Sequence, residues 1–150
     1  MTYKIFKFGG ASVKDAEAVK NVAHIIREFG SQNNLLVVVS AMGKTTNALE
    51  RLLNDFFEQK DWQIEYETLK KYHLEIVERL FSRDHLIYTA LDYLFLQLKD
   101  TLLNKIKLNQ YDESYDQIVS FGEVVSSQIL SYYLKEQKID NEWIEAKDYI

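Results

Sequence analysis

Residues 37–53 read VVVSAMGKTTNALERLL. A β-branched run ends at Ser40, Gly43-Lys44-Thr45-Thr46 makes a tight turn, and a helical pattern follows. Strand, Gly-Lys-Thr turn and helix, in that order, are the parts of a P-loop. A Walker loop also needs a glycine five residues before the Gly of its GK[ST], so that backbone N–H groups can wrap a phosphate. That position is Val38, inside the strand. The stretch therefore reads as a strand-to-helix turn, with Thr45 or Thr46 as the expected N-cap.

Upstream, TYKIFKF at residues 2–8 alternates apolar and polar and stops at Gly9-Gly10, as a strand entering a turn does. Residues 15–29 space their apolar side chains as a helix does, and Gly30 suits its C-cap. Leu35 to Val39 is an unbroken apolar run, expected of a strand buried on both faces of a parallel sheet. The order β-turn-α-β predicts an α/β fold with a parallel sheet between helices.

Downstream the pattern is helical at residues 47–59 and 62–82. A third helix is expected from His85 to about Lys107, with Asp84 as N-cap, and a fourth from Ser114 or Asp116 to Gln137. Residues 142–146 read as a third strand of the sheet. Three strands fall short of the usual ~5–6, so the sequence is expected to be part of a larger domain with one sheet edge open.

The 150 residues are 47% hydrophobic and 27% charged, with a formal charge of −5, which leaves no basic stripe for nucleic acid. There is no Cys, hence no disulfide, thiol nucleophile or thiolate-bound zinc, and no apolar run of membrane-spanning length. Pro is absent and Gly occurs only five times. Such sparing use suggests that the glycines sit where backbone geometry or a ligand requires them.

Three stretches carry the chemistry. In KFGGAS, residues 7–12, paired glycines follow a strand and open a helix, where N–H groups favour anions. Lys7 stands two residues before them, as suits charge stabilisation of a transferring phosphoryl group. The second stretch is the loop from Ser40 to Asn47. The third is Ser120-Phe121-Gly122-Glu123, read as helix interior, where Gly costs ~1 kcal/mol relative to Ala. There Gly122 would leave room for a small ligand and Glu123 would accept hydrogen bonds from an ammonium group. Each taken alone also has a purely structural reading: a turn, a cap, a packing glycine.

In this order and spacing the three stretches resemble the amino-terminal half of the aspartokinases, in the amino acid kinase superfamily. The opening K-F-G-G-T/S-S motif is met except for Ala11. V-x-S-A-x-x-x-x-T-N is met by Val38, Ser40, Ala41, Thr46 and Asn47, and S-x-G-E by Ser120, Gly122 and Glu123. The resemblance implies the amino acid kinase (carbamate kinase-like) fold, its substrate-side lobe carrying a long helical insert over residues 48–113. It implies phosphorylation of the side-chain carboxylate of L-aspartate by ATP, with Mg2+ arriving on the ATP phosphates, on the way to lysine, threonine and methionine. Lys7 would then stabilise the γ-phosphoryl group, Gly9 and Gly10 would offer N–H groups to phosphate, and Ser12 would help form the turn. Ser40, Ala41 and Thr46 would line the acceptor side, and Glu123 would hold the aspartate ammonium. No metal-binding side chain is expected. A cytoplasmic homo-oligomer is expected of the full-length enzyme, whose nucleotide half and ACT domains would lie outside residues 1–150. These residues alone are expected to be inactive. Two alternatives stay open: another superfamily member acting on glutamate or acetylglutamate, and a non-catalytic α/β interaction module.

Overall fold

The computed structural model describes residues 3–30 and 34–148; Thr2, the first residue of the expected opening strand, lies outside them. Two compact units are formed, one from residues 1–43 and 123–150, the other from residues 44–122.

The first unit holds strands β1 (Tyr3–Phe8) and β2 (Asn34–Val39), joined through helix α1 (Ala16–Gly30). They pair in parallel, with Tyr3 beside Asn34 and Phe8 beside Val39, so both strands finish at the same end. Between β1 and α1 lies a 3-10 turn, Gly10–Val13. The glycine pair therefore does not open α1. That helix has its own cap, the Asp15 carboxylate accepting from Ala18 N at 2.8 Å. Val19, Val22, Ala23 and Ile26 form the buried stripe of α1, at the spacing that selected the helix.

Among the described residues the sheet has two strands rather than three. Residues 142–145 alternate in burial as a strand would, but side chains tie this segment to helix α6 (Phe121–Glu136) instead. Trp143 Nε1 donates to Ser127 Oγ at 2.9 Å, and Asn141 exchanges hydrogen bonds with Ser131. A 3-10 turn, Ala146–Asp148, follows. The expected burial of β2 on both faces is also corrected. Ile5, Leu36 and Val38 share one sheet face and are exposed by 63%, 47% and 43%, so in this chain that face is bare.

The second unit is helical: α2 (Thr45–Phe57), α3 (Gln63–Leu80), α4 (Ile87–Asp100) and α5 (Tyr111–Val119). A π turn, Thr101–Lys105, prolongs α4. Leu49, Leu52, Leu69, Val77, Leu91, Phe95, Leu98 and Ile118 are buried in this unit. Phe95 meets Phe121 and Tyr66 edge-to-face, ring centroids 5.2 and 5.8 Å apart. The Tyr66 hydroxyl donates to the Phe95 carbonyl at 2.9 Å, so its polar end is satisfied in the core.

Three expected helix features are corrected. Thr45 is the first residue of α2 and its hydroxyl caps nothing. Asp84 lies within a turn closed by His85 N on the Ser82 carbonyl, and Ile87 N at the start of α4 donates to His85 Nδ1 at 3.0 Å. The single helix expected from about residue 114 to 137 is two, α5 and α6, meeting at Ser120.

Candidate functional site

The paired strand ends bring two of the three motif stretches together. Ser40 N donates to the Phe8 carbonyl at 2.9 Å, continuing the ladder by one bond. Gly43 N then donates to the Gly10 carbonyl at 3.0 Å, so the loop after β2 is fastened to the turn after β1. Gly43 takes φ 54, a left-handed conformation that costs a side-chain-bearing residue 1 kcal/mol or more and glycine almost nothing.

The two glycines of the pair do different work. A Cβ on Gly10 would stand 2.7 Å from the Ala41 carbonyl oxygen and 3.0 Å from that of Gly43. Gly10 is needed for the two loops to touch. A Cβ on Gly9 would meet nothing within 4 Å, and Gly9 is extended at φ −75, ψ 170. Neither packing nor backbone conformation within the chain calls for glycine there. The space that a side chain would take is open to a ligand approaching the backbone. Ser12 is exposed and its N–H closes the turn onto the Gly9 carbonyl at 2.9 Å.

The third stretch arrives on α6. The Ser126 hydroxyl, fully buried, donates to the Ser40 carbonyl at 2.8 Å. Glu123 stands three residues earlier, hence on the same side of the helix. It is exposed and, among the described residues, has no ion-pair or hydrogen-bond partner. Gly122 falls in the first turn of α6, not in a helix interior, so the expected interior penalty does not apply. Lys7 lies on the bare sheet face beside Val38, exposed and without an anionic partner among the described residues. Unpartnered Lys7 and Glu123, an open Gly9 and the Ser40-Ala41 backbone thus belong to one unit, at or adjoining the carboxyl ends of its strands. That is where parallel α/β sheets place ligands.

Thr46 belongs to the other unit, half-buried on the first turn of α2. Its neighbour Thr45 is buried and lies against His73. His73 on α3 is fully buried. Its Nδ1 lies 2.9 Å from the Leu69 carbonyl, which can only accept, so Nδ1 carries the proton. Nε2 is left as an acceptor for the Thr45 hydroxyl at 3.4 Å. Burial pushes the His73 pKa down to about 4 against the opposing pull of the Leu69 carbonyl, so the ring is neutral at pH 7. His24 is exposed on α1. Among the described residues no three His, Cys, Asp or Glu side chains converge as a metal site. No helix is long and apolar enough to cross a membrane among them.

Residues 2–149 match the family model described as the amino acid kinase family. The chain belongs to that family. It is 34% identical over 135 residues to aspartokinase 1, chloroplastic, of Arabidopsis thaliana, covering 87% of this chain and 23% of that protein. It is 29% identical over 151 residues to the bifunctional aspartokinase/homoserine dehydrogenase 2 of Escherichia coli (strain K12), covering 98% of this chain and 18% of the relative. The chain thus spans about a fifth of the length of these curated relatives. In three dimensions it resembles E. coli aspartokinase III solved with aspartate and ADP, with a TM-score of 0.72 at 26% identity over 93% of this chain and 30% of that one. The same enzyme with lysine and aspartate gives a TM-score of 0.65. The parallel pair β1-β2 with its crossover helix is accordingly the start of an amino acid kinase fold.

Proposed function

We propose that these residues form the acceptor-side part of an aspartate kinase. A side-chain carboxylate oxygen of L-aspartate attacks the γ-phosphorus of ATP, the bond to the β-phosphate oxygen breaks, and 4-phospho-L-aspartate and ADP leave. No general base is required, because the attacking carboxylate is already an anion at neutral pH. Catalysis then consists of holding the reactants in line and spreading the phosphoryl charge.

Each residue has its part. Lys7 places its ammonium against the γ-phosphoryl oxygens, where charge is redistributed in the transition state. The turn at Gly9-Gly10 offers backbone N–H groups to phosphate, and Ser12 keeps that turn closed. Ser40, Ala41 and Thr46 line the acceptor, and Glu123 receives its ammonium group. Mg2+ accompanying ATP, when bound, neutralises charge between the β- and γ-phosphates. Adenine binding and the partner for the aspartate α-carboxylate are assigned to protein outside these residues.

The observation that carries the reading is the Ser126–Ser40 hydrogen bond. It fixes the helix of Glu123 to the loop after β2, beside a turn whose Gly9 is open. The test is steady-state kinetics of the intact kinase with L-aspartate, L-glutamate and N-acetylglutamate as acceptors. L-Aspartate should be preferred by orders of magnitude in kcat/KM. Equal or better use of either glutamate compound would overturn the assignment.

A further inference from the structure

Helix α2 begins without a side-chain cap. Lys44 stands at its N-cap position and makes no capping bond. Among the described residues neither Thr46 nor Asn47 has a side-chain hydrogen bond. The polar tie of this first turn runs instead to α3, where Nε2 of His73 accepts from the buried Thr45 hydroxyl at 3.4 Å. The imidazole is itself held on several sides. Nδ1 donates to the Leu69 carbonyl at 2.9 Å, and the ring packs against Tyr72 and Phe95, centroids 5.0 and 5.8 Å away. Nε2 therefore has a fixed direction. An aliphatic side chain could fill this volume without the cost of burying a polar ring. What the imidazole adds is an acceptor at one defined point.

We infer that His73 is a positioning residue for the phosphoryl acceptor, acting through Thr45 to set the rotation of the first turn of α2 and hence the direction in which Thr46 projects. The inference rests on the proposed aspartate kinase function, in which Thr46 lines the acceptor. Successive residues of a helix project about 100° apart. Once the Thr45 side chain is turned in towards α3, the direction of Thr46 is set as well. Thr46 is half-buried, and its hydroxyl has no partner among the described residues, which leaves it for a ligand. His73 is fully buried and neutral at pH 7, so it acts by direction and not by charge.

Initial-rate kinetics of the intact kinase test this, with the melting temperature of each variant measured alongside. Thr45→Val keeps the shape of threonine and removes the hydroxyl; His73→Leu removes the acceptor. Each should raise KM for aspartate about three- to tenfold, as the loss of one hydrogen bond would, with KM for ATP unchanged. The two combined should raise it no further than the larger single effect, because both remove the same bond. Thr45→Ser and His73→Gln, which keep the donor and the acceptor, should stay close to the parent. Lower melting temperatures with a parental KM for aspartate would mark a merely structural pair and overturn the inference. So would KM values for aspartate and ATP that rise together, or single effects that add. Thr45→Val decides the question by itself should His73→Leu fail to fold. Thr46→Ala separates the two possible failures. An unchanged KM for aspartate in that variant overturns the acceptor reading and this inference with it. A raised KM there, with Thr45→Val at the parental value, overturns the positioning role alone.

Discussion

The Ser126 hydroxyl, buried on α6, donates to the carbonyl oxygen of Ser40, 86 residues earlier at the end of β2. This bond connects the helix of Glu123, the carboxylate proposed to receive the ammonium group, to the loop held against the glycine pair. Ser126→Ala should cost about 1–2 kcal/mol, because it removes a buried hydrogen bond and leaves its acceptor without that donor. Urea unfolding measures the loss as a lower midpoint with an unchanged slope. In the intact kinase the same variant should raise KM for aspartate.

Gly9 and Gly10 should respond in opposite ways to the same change. Gly10→Ala forces a methyl against the Ala41 backbone oxygen and should destabilise the chain by about 1–3 kcal/mol. Gly9→Ala meets open space in an ordinary extended conformation and should alter stability by no more than about 0.5 kcal/mol. In the kinase, Gly9→Ala should nevertheless raise KM for ATP. Thermal melts and nucleotide kinetics on the pair separate a packing glycine from a ligand-facing one.

His73 should make stability fall with acid. Its folded pKa, about 4, lies below the unfolded value of 6.5, so between those values the unfolded chain binds more protons. The contribution is fully present above pH 6.5 and declines as pH falls towards 4. Over that window the loss is on the order of 3 kcal/mol. Unfolding free energies at pH 5 and pH 7 read it. His73→Gln, which still offers Thr45 an acceptor, should remove this component of the slope.

If the proposed function holds, Lys7→Ala in the intact kinase should depress kcat by orders of magnitude, since the charge assigned to stabilising the phosphoryl group in transit is then lost. Glu123→Ala should mainly raise KM for aspartate, since the ammonium contact proposed for it would be present before and during transfer alike. Initial-rate kinetics showing the reverse pattern would exchange the two roles.

The first forty residues were largely legible, because alternation, a helical stripe and a β-branched run each have a single local solution. The motif loops were legible as loops, but not the division of labour between Gly9 and Gly10. That depends on the Ala41 oxygen, which only the register of β1 with β2 brings near. Ser120 hid the division between α5 and α6 because it keeps near-helical dihedrals, φ −61 and ψ −23, so the apolar period runs on across it. Residues 142–145 showed true alternation, yet a strand needs a hydrogen-bonding neighbour. Trp143 and Asn141 found α6 instead. The run in β2 was read as buried on both faces, whereas Leu36 and Val38 stay 47% and 43% exposed. His73 left no sequence signal because its partners, Thr45 and the Leu69 carbonyl, meet it only through packing.

The most direct test of the acceptor site is a titration of the isotopically labelled chain with L-aspartate, followed by amide chemical shifts. The account predicts saturable changes centred on Ser40, Ala41 and Glu123, lost in Glu123→Ala and not reproduced by succinate, which lacks the ammonium group. No saturable change would contradict it. So would changes centred on the separate cleft of about 160 Å³ lined by Gln128, Lys135 and Trp143.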